Sequence, residues 1–583
     1  MTDDVPDPPQ DRSVGHPPGD LVLPSWLRGY RRSWWRPDAV AGLTVWAVLI
    51  PEALAYATIA GVPPVVGLYA AVPALVLYAL LGSSRHLVVG PMSATSALSG
   101  AIAIAYGGGT PEGALRVTAT LAIVVGAVGL VAGLLRLGFL TSFISEPVLK
   151  GFIIGLALTI IIGQVPKLLE VDKPEAGFFR SVAVLVSELG DAHWLSAAVG
   201  IVALAVVLVL RRVSPRVPGS LVVVLLGIVA VRLFSLDERG VAIVGPIQSG
   251  LPAVGLPGSS PAQYAELVAP ALGVLLVGFV EGLAAAKAYA TTFGYDIDTN
   301  RELTAAGVAN LGSGLFGGLV VNGSLSKTAV NGSAGAQSQA SNVLVSALTV
   351  LTLLFLTGLF ESLPEPVLAA VVIAAVIDLV DMSSLRRLYA VWTAPLGSIY
   401  RSAARADFIA AVGALLGVLV LDTLPGLFVG VLLSLLLLLY RTSRPHVARL
   451  TRQPGATGEW LDASRHPDLQ PPADVAVVRV ESGLFFVNAD HVRDEIRAAL
   501  TPGTRAVVID ASSVPAIDVS AADMLAQLHD ELARQGRSLH LAAGIGQFRD
   551  VVGAAEGDQL LGNVHPSVDE AVTAARRPAS GGS

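Results

Sequence analysis

The chain has 583 residues, a mean hydropathy of +0.67 and a formal net charge of −7. Only 14% of its residues are charged, against roughly 25% in a soluble domain, and this excludes an ordinary soluble protein. The lack of cysteine excludes disulfides, thiolate metal sites and a cysteine nucleophile. Apolar runs of about 20 residues recur, and each can cross a bilayer as a helix. We therefore predict an all-α polytopic membrane domain.

The N-terminal region contains no apolar stretch of the kind that a signal peptide requires. We therefore expect no signal peptide. Residues 1–23 are rich in Pro and Asp and are predicted to form a disordered tail. Residues 26–36 then combine Trp26, Trp34 and Trp35 with arginines, a composition typical of the headgroup level on the cytoplasmic side. The N-terminus is accordingly expected in the cytoplasm.

Fourteen apolar segments follow, and this even number returns the chain to the cytoplasm after the last one. Two of them, 92–106 and 326–335, are too short to cross about 30 Å of hydrocarbon and are predicted as half-helices preceded by extended backbone. The predicted segments are 39–59, 64–82, 92–106, 115–136, 140–163, 195–211, 219–235, 268–290, 303–319, 326–335, 340–360, 365–380, 406–422 and 425–441. The membrane domain is thereby placed at residues 24–441.

The character of the sequence changes after the last apolar segment. Residues 442–473 are polar with several prolines and are predicted to be a linker. A soluble α/β module is predicted at 474–575, followed by a disordered tail at 576–583. Its predicted strands are Val475–Val480, Leu484–Val487, Arg505–Asp510 and Ser538–Ala543, and its predicted helices are Asp490–Leu500 and Asp518–Arg534.

Two stretches in the membrane domain resemble one another. Glu52 precedes Ser93 by 41 positions, and Glu281 precedes Ser324 by 43, so each copy pairs an apolar-helix Glu with a later Gly/Ser/Thr interruption. Matched, broken segments in two halves indicate a transporter's binding site. The N-terminus of each half-helix attracts an anion through its free N–H groups. The hydroxyls of Ser93, Thr95, Ser324, Ser326 and Thr328 add donors. The alternative is that Gly and Ser only permit close helix packing.

The charged residues of these stretches suggest separate roles. Lys327, beside the second break, either attracts the anion or pairs with a carboxylate. Burial disfavours the charged form of a carboxyl group, so Glu281 is predicted to carry a proton and to couple it to anion movement. Glu52 either shapes the pocket or belongs to a structural ion pair. Tyr56 shares the face of Glu52 and is either a pocket wall or core.

These motifs resemble the SulP family of sulfate-permease-like anion transporters. The resemblance rests on residues 51–57 (PEALAYA), 60–64 (AGVPP), 82–85 (GSSR), 300–303 (NREL) and 323–331 (GSLSKTAVN), and it extends over residues 24–575. It implies fourteen segments in two inverted repeats of seven, a moving core, a scaffolding gate and dimers. It also implies that the anion lies between the half-helices, with pocket positions at Glu52, Tyr56, Ser93, Ala94, Thr95, Glu281, Ser324, Leu325 and Ser326.

Three positions depart from the pattern of many family members. Gln is common where this chain has Glu52, and Arg is common where it has Lys327. Sodium-coupled bicarbonate members carry Asp and a hydroxyl residue where this chain has Glu281 and Ala285, so that Glu281 resembles the proton-coupled members. Glu52 would be a second acid in the pocket besides Glu281, and its presence leaves the identity of the transported anion open.

The soluble module is similar to a STAS domain, the fold of anti-sigma-factor antagonists. Residues 507–510 (VVID) lead to 517–520 (IDVS) at a helix start. Asp518 is predicted to cap that helix. Ser520 lies near the position that is phosphorylated in some antagonists, and phosphate at a helix N-terminus is physically favourable. Capping is the interpretation that we favour here.

We therefore expect a proton-coupled importer of a small inorganic anion, sulfate, in a bacterial inner membrane. It would work as a homodimer among membrane lipids, driven by an ion gradient and without a cofactor. Bicarbonate or chloride transport by sodium symport or exchange is the first alternative, and a STAS-based signalling scaffold is the second. The STAS module could bind a cytosolic partner, and no nucleic-acid partner is expected. Enzymatic activity is not expected, because no nucleophile–base or metal constellation is present.

Overall fold

The structure is a computed structural model that describes residues 25–139, 145–171, 177–214, 217–247, 249–393, 403–421, 423–453, 455, 459–544, 546–556 and 562–577. The predicted tail at 1–23 and most of the tail at 576–583 lie outside these residues. Two compact units are present: residues 1–381 with 413–430, and residues 382–412 with 431–583. Each unit is described by itself below.

The part of the chain that carries the apolar segments is helical. Its helices are α1 (Ser25–Arg28), α2 (Trp35–Ile59), α3 (Val65–Leu81), α4 (Ser93–Tyr106), α5 (Pro111–Leu134), α6 (Glu146–Leu169), α7 (Phe178–Glu188), α8 (Trp194–Val213), α9 (Gly219–Phe234), α10 (Pro261–Glu266), α11 (Val268–Phe293), α12 (Thr299–Leu315), α13 (Leu325–Ser333), α14 (Ala340–Leu351), α15 (Thr357–Phe360), α16 (Glu365–Val376), α17 (Met382–Thr393), α18 (Ala403–Leu421) and α19 (Thr423–Ser443). A π-helical stretch, Thr352–Leu356, joins α14 to α15.

Each of the fourteen predicted segments has a helical counterpart among the described residues. Six helical runs there are long and apolar enough to cross a membrane: Arg32–Ile59, Pro111–Leu134, Glu146–Leu169, Trp194–Val213, Val268–Phe293 and Ala340–Phe360. The largest boundary error is at α6, which continues to Leu169 instead of ending at residue 163. Pro166 lies inside its last turn, and Glu170 then ends the helix in the left-handed conformation.

The two predicted half-helices are α4 and α13, of 14 and 9 residues. The extended backbone predicted before each one forms a short strand: β1 (Val88–Pro91) precedes α4, and β2 (Val321–Ser324) precedes α13. The two strands pair antiparallel, which the sequence did not predict. Pairing satisfies backbone N–H and C=O groups that would otherwise be costly inside an apolar domain.

Helix packing separates this unit into two groups. The core helices are α2–α5 and α11–α14, where α5 crosses α12 so closely that a Cβ at Gly126 would lie 2.5 Å from the backbone N of Leu311. The gate helices α6, α8, α9 and α16 pack on one another, for example through Leu168, Ala369 and Ile373. The architecture is therefore that of an all-α polytopic domain with a core and a gate.

The C-terminal module is built on a six-stranded sheet. Its strands are β3 (Val447–Arg452), β4 (Trp460–Asp462), β5 (Val475–Val480), β6 (Ala506–Asp510), β7 (Ser538–Ala542) and β8 (Val564–His565), in the spatial order β4-β3-β5-β6-β7-β8. Strands β5 to β8 are parallel, whereas β3 pairs antiparallel with both β4 and β5. Its helices are α20 (Ala489–Ala498), α21 (Val519–Arg534), α22 (Gly546–Glu556) and α23 (Val568–Arg576).

Side chains that alternate along the central strands form two apolar cores. Val478 and Val480 of β5 face α20, α21 and α22, and Val475 and Val477 face α23 on the other side of the sheet. This burial on both faces explains why β5 and β6 are apolar except at Arg479 and Asp510, which pair with each other.

The prediction of a linker at 442–473 is wrong over β3 and β4, which belong to the sheet. Arginines at 449 and 452 interrupt β3, and β4 has only three residues and forms the edge of the sheet, so neither strand shows a long apolar run. A hydrogen-bonded loop follows β4. Burial pushes the pKa of Asp462 up, but hydrogen bonds from Ser464 and His446 outweigh it and hold that pKa below its ordinary value.

The predicted strand at 484–487 is also wrong, since Leu484 makes only a single bridge to Ile517. The chain turns there because Asn488 and Asp518 accept hydrogen bonds from the N–H groups of Phe485 and Phe486. The predicted C-terminal tail begins one residue too early, because Arg576 ends α23 and pairs with Asp474.

Candidate functional site

The strands β1 and β2 bring the two half-helices to one place. Val88 lies opposite Ser324, and Pro91 lies opposite Val321. Helix α4 begins two residues after β1, and α13 begins directly after β2, so the N-terminal ends of both helices lie at this small ladder. All four residues of each strand are buried. Because the strands are antiparallel, α4 begins at one end of this buried ladder and α13 at the other, and two positive helix ends that flank it favour a bound anion.

The first turn of α4 is buried and has no side-chain cap. Its N-cap residue, Met92, makes no side-chain hydrogen bond to the helix, so the N–H groups of Ser93, Ala94 and Thr95 have no side-chain cap. Ser93 is 8% exposed, whereas Ala94 and Thr95 are buried. The Thr95 hydroxyl donates to the backbone oxygen of Met92 at 3.4 Å, so it is partly engaged within its own turn.

The start of α13 is arranged differently. The Ser324 hydroxyl accepts a hydrogen bond from the N–H of Lys327 at 3.3 Å and lies 3.1 Å from the Ser326 hydroxyl. Leu325 and Ser326 are exposed, whereas Ser324 is 3% exposed. The predicted donor Thr328 is instead structural, because its hydroxyl accepts from the N–H of Val88 at 3.1 Å. The two half-helices therefore offer unequal sets of donors.

Lys327 is fully buried and paired. Its ammonium lies 2.9 Å from Glu52 Oε2, donates to the backbone oxygen of Pro91 at 3.1 Å and lies 4.9 Å from the centre of the Tyr56 ring. The Tyr56 hydroxyl donates to Glu52 at 3.4 Å. Of the two roles expected for Lys327, pairing with a carboxylate is the one observed. This cluster ties α2, β1 and α13 together beside the ladder.

Glu281 lies on α11 between two glycines that contact the ladder. A Cβ at Gly278 would lie 2.3 Å from Asn322 Nδ2 and 3.0 Å from Thr95 Cγ2, and one at Gly282 would lie 3.2 Å from the backbone N of Gly323. Glu281 is partly exposed, and its carboxyl group makes no hydrogen bond or ion pair with the described residues. It does interact electrostatically with Lys327. Glu281 is thus an acid beside the site whose carboxyl group is not held by a hydrogen bond or an ion pair.

Several amide side chains at the ladder were missed in the sequence. Asn310 holds the start of β2, because it accepts from the N–H of Val321 and donates to its oxygen, both at 2.9 Å. Asn331 donates to the backbone oxygen of His86 at 2.9 Å. Asn322 is buried, and its Nδ2 has no hydrogen-bond partner among the described residues. A signal was available, since amides inside apolar segments are rare and usually functional.

The predicted regulatory position lies in the soluble module. Asp518 caps α21 by accepting from the N–H of Ala521 at 2.9 Å, which confirms the capping prediction. Ser520 is exposed in the first turn of the same helix. Its phosphorylation stays a prediction.

The starts of the two half-helices, residues 93–95 and 324–326, flank the buried ladder, and we call this place the cradle. Such a pair of half-helices, inside a core-and-gate helical domain that is joined to an α/β module, is the architecture of a multi-pass membrane transporter. The sequence profile of the sulfate permease family matches residues 36–396, and that of the STAS domain matches residues 466–571. The chain belongs to the sulfate permease family, whose members are transporters and not enzymes.

Curated relatives match along almost the whole chain. A probable sulfate transporter of Mycobacterium tuberculosis is 36% identical over 577 residues, which cover 98% of this chain and 100% of that protein. Sulfate transporter 1.3 of Arabidopsis thaliana is 30% identical over 587 residues, which cover 93% of this chain and 86% of that protein.

Solved structures share the fold. The murine SLC26A9 anion transporter in its inward-facing state superposes with a TM-score of 0.84 at 23% identity, covering 97% of this chain and 96% of that one. The transmembrane domain of a cyanobacterial bicarbonate transporter, BicA, superposes with a TM-score of 0.59 at 23% identity, covering 69% and 98% of the two chains.

Proposed function

We propose that this protein imports sulfate together with protons by alternating access, with the anion held between the N-termini of α4 and α13. It would work in a bacterial inner membrane as a homodimer with both termini in the cytoplasm. The relatives in Mycobacterium tuberculosis and Arabidopsis thaliana are named as sulfate transporters, and this supports sulfate as the cargo. The even number of predicted membrane spans supports the placement of both termini on the same side of the membrane.

The observation that carries the proposal is the antiparallel pairing of β1 with β2. It holds the uncapped first turn of α4 and the hydroxyls of Ser324 and Ser326 at one ladder. Sulfate accepts hydrogen bonds in several directions, so backbone N–H groups and hydroxyls from two sides suit it. Glu52 already neutralises Lys327, so helix ends and neutral donors supply most of the attraction.

Glu281 supplies the proton-coupling step in this proposal. An ionised Glu281 repels the dianion, and a protonated one does not, so anion and proton bind together and cross together. The carboxyl group suits this role because it makes no hydrogen bond or ion pair with the described residues, interacts electrostatically with Lys327 and lies on the turn of α11 that packs against β2.

Glu281→Gln tests the coupling role. The amide mimics the protonated acid, so the variant should still bind sulfate but should no longer drive uptake with a proton gradient. Labelled sulfate uptake into proteoliposomes and sulfate binding to purified protein measure the two effects. Glu266→Gln, at an exposed position on α10, is the matched control and should behave as wild type. Full proton-driven uptake by Glu281→Gln would remove the coupling role.

A second comparison tests the cargo and the driving ion. Proteoliposomes of the wild-type protein are supplied with labelled sulfate, bicarbonate or chloride under an imposed proton gradient or sodium gradient. Sulfate accumulation that needs the proton gradient supports the proposal. Bicarbonate or chloride movement that needs sodium would replace it with the alternative function.

A further inference from the structure

Asn322 is the polar residue of the ladder that the proposed function leaves without a role. It lies in β2 opposite Gly90, and only 5% of its surface is exposed. Its Nδ2 is buried and has no hydrogen-bond partner among the described residues. An unpaired donor that is buried to this degree is costly, so it calls for an acceptor that reaches it at another stage of transport.

The Asn322 amide lies against the turn of α11 that carries Glu281. A Cβ at Gly278 would lie 2.3 Å from the amide Nδ2, and one at Gly282 would lie 3.0 Å from its Oδ1. Glu281 follows Gly278 by three positions, and the Cβ atoms of residues with this spacing are about 5–6 Å apart on a helix. A Glu side chain, with three rotatable bonds, covers this distance. The Nδ2 donor is therefore within reach of the Glu281 carboxyl group.

The other side-chain acceptors at this contact are already engaged. Thr95 turns its methyl group toward Gly278, and its hydroxyl donates to the backbone oxygen of Met92. Ser324, two positions after Asn322 and on the same face of β2, accepts from the N–H of Lys327. Glu281 differs from both, because its carboxyl group makes no hydrogen bond or ion pair with the described residues.

The charged groups nearest to Glu281 are committed elsewhere. Lys327 of α13 and Tyr56 of α2 interact with Glu281 electrostatically, and both are bonded to Glu52. Lys287, on α11 itself, is exposed. Asn322 is thus the neutral donor beside an acid whose charged neighbours already have partners.

Among the described residues, the remaining elements that pack on α11 add no charge that interacts with Glu281. Strand β2 has no titratable side chain, and α4 has only Tyr106, its last residue. Helix α5 faces α11 with apolar side chains from residues 127–132. Glu302 of α12 accepts a hydrogen bond from Tyr78, and Glu266 of α10 is exposed.

We propose that Asn322 is a positioning residue for the coupling acid, and that its Nδ2 donates to the Glu281 carboxylate once Glu281 has lost its proton. This inference rests on the proposed function, in which a protonated Glu281 accompanies the anion. After the anion leaves, Glu281 releases its proton to water, and its side chain turns toward β2 to accept from Asn322. The amide stabilises the ionised acid and so favours release of the proton at the end of each cycle.

Asn322→Leu tests this contact, because leucine is similar in size and has no donor. Isothermal titration of the purified protein measures sulfate affinity over a series of pH values. In the wild type the affinity should fall as Glu281 ionises and repels the dianion. In the variant the midpoint of this fall should move up by about one to two pH units, because the ionised acid has lost a hydrogen bond. The affinity at acid pH should match the wild type.

Two further variants bracket this result. Asn322→Asp places a second carboxylate beside Glu281 and should move the midpoint further in the same direction, because like charges disfavour ionisation. Gln263→Leu is the matched control, since it removes an amide on α10, ahead of the start of α11. Its midpoint should equal that of the wild type.

Thermal unfolding provides a readout that needs no anion. The contact exists only with the ionised acid, so Asn322→Leu should lower the Tm more at alkaline pH than at acid pH. The pH-dependent part of this loss should vanish in a Glu281→Gln background, because the amide of glutamine does not ionise. A loss of Tm that is equal at every pH shows a merely structural Asn322 and overturns the proposal.

The outcomes separate this contact from the coupling role of Glu281. An unchanged midpoint in Asn322→Leu, while Glu281→Gln no longer drives uptake with protons, overturns the contact and leaves the proposed function standing. Weaker sulfate binding at acid pH with an unchanged midpoint also overturns it, because the amide would then donate to the anion itself. If Glu281→Gln keeps full proton-driven uptake but removes the pH-dependent loss of Tm, the contact stands and the coupling role falls.

Discussion

Lys327 and Glu52 form a buried ion pair within the membrane domain. Lys327 is completely buried, and Glu52 is 9% exposed. The ammonium also donates to the backbone oxygen of Pro91, and Tyr56 donates to the carboxylate, so three side chains and one backbone oxygen share two charges. A pair of this kind rarely adds stability over an apolar pair, but removing one partner leaves an uncompensated charge.

We predict that Lys327→Met and Glu52→Gln each lower the free energy of unfolding by about 3 kcal/mol, because each leaves one buried charge without its partner. The double variant should recover much of this loss. Thermal unfolding of the purified protein, analysed as a double-mutant cycle, measures the coupling. Additive losses in the double variant would contradict the pairing.

The same residues show what position in the chain can and cannot reveal. Lys327 lies 275 positions after Glu52, and the sequence left both a pocket role and an ion-pair role open for each. Periodicity correctly placed Tyr56 one turn after Glu52. It could not show that the antiparallel ladder would deliver Lys327 to the same carboxylate, since this contact depends on how α13 leaves β2.

At the level of elements, α11 must approach β2 closely for Glu281 to reach the cradle. Glycines at 278 and 282 permit this, because the Asn322 amide and the backbone of Gly323 occupy the space that a side chain would need. The ladder, the half-helices and α11 therefore form one packed layer. The distance between α11 and β2 decides how far Glu281 lies from a bound anion.

We predict that Gly278→Ala weakens sulfate binding and lowers the stability by about 1–3 kcal/mol, as overpacking of a tight core does. The added methyl group would meet Asn322 at 2.3 Å, so either α11 or β2 must move. Isothermal titration and thermal unfolding report the two effects.

Gly358→Ala is the control for Gly278→Ala. Nothing lies within 4 Å of a Cβ at Gly358, and the substitution should leave both quantities close to wild type. Unchanged affinity and stability in Gly278→Ala would show that the layer tolerates displacement and that close approach of α11 is not required.

At the scale of the whole molecule, the membrane domain and the STAS module have separate interiors. The module buries its own two apolar clusters around its sheet, one under α20–α22 and one under α23. The cradle lies wholly within residues 1–381 of the first unit. A domain with its own core can in principle fold alone.

We therefore predict that a chain ending at Ser443, without residues 444–583, still folds in detergent and binds sulfate with an unchanged dissociation constant. Size-exclusion chromatography and isothermal titration check this. Loss of anion binding from a folded, truncated protein would contradict the independence of the cradle. It would favour the signalling-scaffold alternative, in which the STAS module is the active part.

Composition and periodicity were sufficient for most elements of the fold. The apolar segments, the two half-helices and strands β5, β6 and β7 were predicted close to their observed positions, because burial on all sides leaves an unbroken apolar run. Strands β3 and β4 were missed, since arginines interrupt β3 and β4 is an edge strand of only three residues. Helix α7 was missed as well, because its 11 residues are amphipathic rather than uniformly apolar.

The sequence by itself determined the class of protein, the two matched breaks and the acids beside them, because these depend on residue type and spacing along the chain. Only the tertiary structure decided which polar groups are engaged in hydrogen bonds or ion pairs and which helix end is left uncapped. It paired Lys327 with Glu52, engaged Thr328 with β1 and left the first turn of α4 uncapped. The reason is physical: whether a polar group is satisfied depends on its neighbours in space, and those come from distant parts of the chain.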